Sequence, residues 1–282
     1  MITGVHPFTV GDIKCLVLHE GGSRFTVDRL NRMFPNTTDE EIQDALQAIS
    51  HEGNEAVSSM NCLLIESAGQ RLLVDTGLGP TAGEGMGLLF DHMMAAGIEP
   101  ETIDNVFITH FHGDHIGGLI REDGNATFPN ASFAASIKEW DYWIDSETLE
   151  AIGEERAGRI VRAVMPLEER FSQVAAGTEL IPGVTTVPIP GHTPGHTGLV
   201  IESNGEQALF LVDLLHQAAQ FVYPGWHFGF DSDGILAEET RRNALSRSAD
   251  EGLLTLFYHL PFPGLGHVTR LDDAFRWQPV NT

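Results

Sequence analysis

The chain is short of the residues that bind polyanions. Of its 16 basic residues only Lys14 and Lys138 are lysines, and 40 acidic residues face them, so the 282 residues carry a formal charge of −24. Neutralising nucleic-acid phosphates takes clustered cations, so nucleic acid is excluded as an expected partner. Anionic membrane surfaces are disfavoured for the same reason. Cysteine is equally sparse: Cys15 and Cys62 stand alone, too few for a disulfide framework and without metal-binding spacing. Both are expected to be reduced and buried. No run of about 18 apolar residues occurs, and the start, Met1 to Pro7, lacks a basic segment followed by an apolar one. These absences predict a cytoplasmic protein with no membrane partner. Repeats and low-complexity tracts are missing too. The expectation is a single domain over 1–282, with residues 1–60 as an N-terminal extension that packs on the core or on a partner chain.

What is present has a clear grammar. Thr38-Asp39-Glu40-Glu41 reads as a capping box opening a helix through Ile42, Ala45, Leu46 and Ile49, with Gly53 as its stop. Asn61–Ile65 and Arg71–Val74 read as a hairpin around Ala68-Gly69, followed by a helix near Gly87–Ala96 and a short strand, Val106–Thr109. Further on come a strand at Ser132–Ala135, a helix near Ile137–Ile144, and a polar stretch from Ser146 to about Arg170 that reads as irregular. Strands at Gly183–Pro188, Gly198–Glu202 and Ala208–Val212 precede a long helix from Ile235 to about Ala249 and a last apolar run, Leu253–Tyr258. Three of these runs end on His or Asp: His110, Asp213 and His259. Mixed strands and covering helices predict an α/β layered sandwich with polar groups gathered along one edge.

The segment Thr109-His110-Phe111-His112-Gly113-Asp114-His115 holds four potential ligands in six residues. Alternate residues of one loop diverge, so a single small ion cannot take all four; two adjacent ions can share them. Imidazole and carboxylate donors suit zinc or another first-row divalent ion, with manganese, iron and cobalt accepting the same set. His192, in Pro190-Gly191-His192-Thr193-Pro194-Gly195-His196, together with Asp213 and His259 would bring the set to seven.

This pattern, His110-x-His112-x-Asp114-His115 followed by His192, Asp213 and His259, resembles the metallo-β-lactamase-fold hydrolases with a dinuclear centre. The likeness runs from about Asn61 to His267. It implies an αββα sandwich with two metal ions in a groove at one edge, and a homodimer with the segment before Asn61 as a contact. It also implies that His110, His112 and His192 bind one metal, that Asp114, His115 and His259 bind the other, and that Asp213 bridges them. Asp75, in Val74-Asp75-Thr76-Gly77, matches the carboxylate that orients a ligand histidine in that family. Read by itself, it is equally a turn-forming Asp before Gly. His196 is expected to support the His192 loop, and His267 to brace the last metal loop.

The fold hosts many reactions, so function rests on the site. Asp213 stands where class B1 β-lactamases place a cysteine. Only 23 residues follow His259, too few for the helical domain of the glyoxalase II type, and 45 separate Asp213 from His259, too few for the insertion of the nucleic-acid-processing branch. What remains is small-ester chemistry: lactones, aryl esters and phosphotriesters. The segments Asp213–Phe221 and His259–His267 are similar to the methyl parathion hydrolase group and its lactonase relatives. The expected reaction is attack of a metal-bridging hydroxide on a carbonyl carbon or phosphorus, with Asp114 receiving the proton. Acyl-homoserine lactonases typically carry a tyrosine three residues after the bridging Asp; this chain has His216, which either polarises the carbonyl or packs beside the site. Trp226, Phe228, Phe230 and Phe262 are the candidate apolar wall, and Phe25 and Phe34 extend it. A metal-retaining sensor of the same fold is one alternative. A phosphodiesterase is another; it would need a basic clamp, for which the motifs offer only Arg121, Arg241, Arg242 and Arg270.

Overall fold

The protein is described here from a computed structural model covering residues 3–49, 56–80 and 82–280. The helix stop expected at Gly53 lies outside the described residues. In chain order, the first half runs β1 (Val5–Val10), β2 (Ile13–Phe25), α1 (Val27–Met33), α2 (Asp39–Ile49), β3 (Ala56–Ser67), β4 (Gln70–Val74), α3 (Leu89–Ala95), β5 (Asn105–Ile108), α4 (Gly113–Ile116), β6 (Ser132–Ser136), α5 (Ile137–Ile144), α6 (Ser146–Ala151), α7 (Glu154–Val164) and β7 (Phe171–Val174). The second half runs β8 (Glu179–Ile181), β9 (Val184–Pro188), β10 (Thr197–Ser203), β11 (Glu206–Phe210), α8 (Ala219–Val222), α9 (Gly234–Asp250), β12 (Leu254–Leu256), β13 (Leu265–Leu271) and β14 (Ala274–Pro279).

Strands β1 to β7 form one sheet in sequential order, and β8 to β14 form a second. The first is antiparallel through β4 and parallel from β4 to β7. Parallel neighbours need crossovers, and α3, α4 and α5–α7 supply them. In the second sheet only β11 and β12 run parallel, joined across α8 and α9. Val17, Leu63 and Val106 of the first sheet share one apolar cluster with Leu199, Phe210 and Leu256 of the second. Outside, α3 packs on β2, α5 on β6 and β7, and α9 on β13. The expected αββα sandwich is therefore present. Among the described residues no helix is long and apolar enough to cross a membrane.

Local chemistry explains several elements. The capping box closes as read: Thr38 N–H donates to Glu41 Oε2 at 2.8 Å and Glu41 N–H to Thr38 Oγ1 at 3.3 Å. In β3 every residue from Ser58 to Ile65 is buried, as expected of a strand covered on both faces. Two stretches differ from the sequence reading. Residues 5–25, expected within an extension, are two strands of the sheet itself, and β2 pairs with β3 from Lys14↔Glu66 to Phe25↔Ala56. A register shift between His19 and Gly21 breaks the period-two pattern and hides the strand. The stretch expected to be irregular after Ser146 is α6 and α7. Their starts are set by Asp145, which accepts from Thr148 N–H at 2.9 Å, and by Glu154-Glu155 in the first turn of α7. Only Ile160 and Val164 of α7 are buried, a stripe too thin to register as periodic.

Glu20 of β2 pins the long loop between β4 and α3. Its Oε1 accepts from Leu78 N–H (2.9 Å) and Gly79 N–H (3.2 Å), and its Oε2 accepts from Leu89 N–H (2.7 Å). Gly77, at φ 71°, lets the loop close over it, since a Cβ there would lie 2.3 Å from the Glu20 carboxyl carbon. Burial pushes the Glu20 carboxyl up to about 7. A raised carboxyl retains its proton in the folded state while the unfolded chain has lost it. Its contribution to stability is therefore full below pH 4.5 and is lost as the pH rises through about 7. Glu20→Ala should destabilise the fold by about 2–4 kcal/mol at pH 5 by stranding three amides. The gap in melting temperature between the two proteins should narrow from pH 5 to pH 8; a gap that widens would contradict the raised carboxyl.

Candidate metal centre

The polar strand ends meet at one edge of the sandwich. β5 delivers Thr109 and His110, and the short α4 presents Asp114 and His115. From the second sheet, the β9–β10 loop brings His192 and the chain after β12 brings His259. Asp213 follows β11 through Val212, a β-branched residue held at φ 45°, in the left-handed region that glycine normally occupies. That reversal turns the carboxylate into the cluster. The His259 loop is tied to the first sheet by Asn61, whose Nδ2 donates to Phe257 O (3.2 Å) and Leu260 O (2.8 Å).

Hydrogen bonds decide which nitrogen of each ring faces inward. His115 Nδ1–H donates to Asp75 Oδ2 (2.8 Å), and Asp75, at φ 61°, is itself fixed by Thr109 N–H and Oγ1–H. His192 Nδ1–H donates to Asp231 Oδ1 (2.9 Å), and His259 Nδ1–H to Ser59 O (3.2 Å). His110 Nδ1–H meets Thr109 Oγ1 at 3.2 Å, because that hydroxyl has given its own proton to Asp75. All four rings thus turn Nε2 inward, and that of His259 lies 3.0 Å from Asp213 Oδ2. His112 is reversed, with Nδ1 inward, 3.1 Å from His110 Nε2 and 2.9 Å from His192 Nε2.

Two donor sets result. His110, His112 and His192 converge beside one end of Asp213, whose Oδ2 is 3.6 Å from His110 Nε2 and 3.5 Å from His192 Nε2. Asp114, His115 and His259 converge beside it, with Asp213 Oδ1 3.4 Å from His115 Nε2. The buried atoms His115 Nε2 and Asp213 Oδ1 have no hydrogen-bond partner, the mark of atoms shaped for something other than protein. Electrostatics agree. Burial, then His115, holds His110 well below the usual imidazole value, and burial with His192 does the same to His112. His115 and His259 go the other way: burial opposes their charge, but the surrounding carboxylates together exceed it, Asp213, Asp75 and Asp114 for His115, and Asp213 and Asp114 for His259. Asp213 stays ionised although burial disfavours it, since His259, His115 and His110 surround it. The cluster calls for positive charge at its centre, and its donor types and grouping fit two divalent ions.

Residues beyond the sequence motif hold this arrangement. Buried Glu139 of α5 accepts from Phe111 N–H (2.8 Å), Thr193 Oγ1–H (2.6 Å), Gly195 N–H (3.1 Å) and Trp143 Nε1–H, so it joins the His110 loop to the His192 loop. A Cβ at Gly195 would lie 2.1 Å from Glu139 N, so only glycine allows that approach. Burial pushes the Glu139 carboxyl up to about 7. His196 donates from Nδ1 to Ile189 O (3.0 Å) and accepts Asp213 N–H at Nε2 (3.3 Å), which places it behind the cluster.

The cluster floors a cavity of about 340 Å³ lined by Phe25, Met33, Met60, Ile160, Phe228 and Arg156, among others. Phe228 stacks on His216 with ring centroids 3.6 Å apart, and both nitrogens of His216 are buried without a hydrogen bond, Nε2 standing 3.3 Å from Asp213 Oδ2. Phe230, 58% exposed, stands at the mouth. Four expected residues are elsewhere. Trp226 and Phe34 are buried against each other outside the cavity lining, and Phe262 packs by His19. His267 is exposed on β13, on the face opposite the buried Val268. Nor do the arginines singled out earlier line this cavity, and Arg121 is exposed beside a different one. Buried Arg241 is spent on the carbonyls of Leu214, Pro224 and Trp226, while Arg242 and Arg270 pair with Glu238 and Asp250.

Comparison with known proteins agrees with this geometry. An N-acyl homoserine lactonase of a Bacillus species is 26% identical over 200 residues, covering 64% of this chain and 73% of that protein. Among solved structures, AidC, a dizinc quorum-quenching lactonase in complex with its product, superposes with a TM-score of 0.92 at 27% identity, over 99% of this chain and 98% of that one. The hydrolase AbOPH superposes at 0.89 with 27% identity, over 100% and 99%. The sequence profile of the metallo-beta-lactamase superfamily matches residues 57–259, and with the αββα fold and the edge cluster in place, the chain belongs to that superfamily.

Proposed function

We propose that this protein is a metal-dependent hydrolase that opens the ring ester of N-acyl homoserine lactones, with two zinc ions as its cofactors. The observation that carries the reading is the convergence of five imidazole nitrogens and two carboxylates on the floor of an apolar cavity large enough for a small ester. Similarity to lactonases at 26–27% identity supports the choice of substrate. His110, His112 and His192 would hold one ion, Asp114, His115 and His259 the other, and Asp213 would serve both. When bound, such ions acidify water and polarise the ester carbonyl.

The chain's own groups do the rest. Asp75, Asp231, Thr109 and the carbonyl of Ser59 keep the ligand rings in the tautomer that offers its lone pair inward. The Asp114 side chain, 29% exposed, faces the cavity and holds the proton released by the attacking water. Burial lowers His216 to about 4, so it stays neutral with an N–H to donate to the carbonyl oxygen as charge develops there. Phe228 stacks on the His216 ring and fixes its plane, and the apolar wall receives the acyl chain.

Three measurements test this reading. Asp213→Ala and His112→Ala should each lower kcat/KM for N-hexanoyl-homoserine lactone by at least about a hundredfold and reduce bound metal by elemental analysis. Full turnover in the double variant would refute the dinuclear site. Asp75→Asn should weaken metal affinity by about 10–100-fold in chelator competition while leaving the fold intact. His216→Phe should cut kcat by about a hundredfold with little change in KM; unchanged kcat would reduce His216 to a packing residue.

A further inference from the structure

Arg156 is a charged residue in the cavity wall that the mechanism above does not use. It sits in the first turn of α7, half-buried, and its guanidinium carbon lies 5.5 Å from the ring of Trp143 and 5.5 Å from that of Phe230. Its Nη2 is 3.0 Å from His112 Nε2. Among the described residues it makes no salt bridge, although the chain carries 40 acids. On the same helix Arg159 is paired with Glu155. A guanidinium has five N–H donors in a planar fork and accepts nothing, so four of its donors are left to the cavity and solvent.

The contact with His112 does not account for Arg156. To accept from a guanidinium, His112 Nε2 must carry no proton, so the ring's one proton is on Nδ1, the atom that faces the cluster. A neutral ring that offers Nδ1 to a cation carries its proton on Nε2 instead, and two donors then face each other. Holding His112 and serving the loaded cluster are incompatible, so the fork is left for a ligand. The two flanking rings restrict where it goes, and the cavity beside it is otherwise mostly apolar.

We propose that Arg156 is a specificity-determining residue that donates to a non-reacting carbonyl oxygen of the substrate, the amide oxygen of an N-acyl lactone. This rests on the lactonase reading and adds to it a preference: lactones bearing an amide beside the ring over plain alkyl lactones. The scissile carbonyl is reserved for the cluster, and the acyl chain for the Met and Phe wall. The amide oxygen is the acceptor left over, and a charged donor is the strongest partner for it in a low-dielectric wall.

The test compares Arg156→Met and Arg156→Lys with the wild type on N-hexanoyl-homoserine lactone and on an alkyl γ-lactone of matched length. Arg156→Met should raise KM for the amide-bearing lactone about tenfold or more with kcat nearly unchanged, and alter kcat/KM for the alkyl lactone by less than about twofold. Arg156→Lys, keeping charge but not the fork, should restore part of the discrimination. Zinc content should equal that of the wild type in both variants. Equal losses on the two lactones, no loss on either, or a fall in bound zinc would overturn the proposal. If the wild type opens neither lactone, the functional reading fails separately. Calorimetry on the zinc-loaded protein with N-hexanoyl-homoserine against an open-chain 4-hydroxyalkanoate then decides Arg156 by itself: the amide-bearing acid should lose affinity in Arg156→Met and the other should not.

Discussion

The fold is arranged around one buried carboxylate. Asp213 is enclosed by His110, His115, His192, His216 and His259, with Nε2 atoms 3.0–3.6 Å from its oxygens. An ion so far from water is costly unless opposite charge and hydrogen bonds compensate. Here the compensation comes from rings carried by different segments, and all of them except His216 are aimed by a hydrogen-bond partner of their own. The left-handed Val212 and Asp75 are the local strain that this convergence requires.

Around that carboxylate, the second layer of polar groups divides the labour by sheet. Asp75 and Thr109 act from the ends of β4 and β5, and Asp231 from the segment before α9. Glu139 spans between loops of both sheets. The apolar wall, in contrast, comes from residues of α1, α7, β2, β3 and the loop around Phe228. The cluster is drawn mostly from strand ends and the loops that leave them, while the apolar wall is assembled from both strands and helices.

Much of this was legible from residues alone, and the boundary is physical. His110, His112, Asp114 and His115 stand out because four donors in six residues have few other uses, and the hairpin and capping box follow from turn and helix-end chemistry. Asp231, Glu139 and Arg156 were missed because each is a lone polar residue in a stretch without period, and only the fold reveals what it faces. Trp226 and Phe262 were misplaced for the related reason that aromatic density does not say which side of a segment is covered. His267 shows the same limit for strands, where one step along the chain reverses the face. The two strands in 5–25 were hidden by a bulge, and α7 by the narrowness of its apolar stripe.

The donors do not come from one half of the molecule. His110, His112, Asp114 and His115 hang from the edge of the first sheet, whereas His192, Asp213 and His259 hang from the second. Neither layer alone supplies the whole of either donor group. A chain that has formed its layers but not yet pressed them together offers only fragments of the constellation, so a tightly held cation pair would act as a clasp that rewards final docking. Uptake of metal would then be thermodynamically coupled to closure of the sandwich, and ions that served chemistry would also fasten the architecture that presents them.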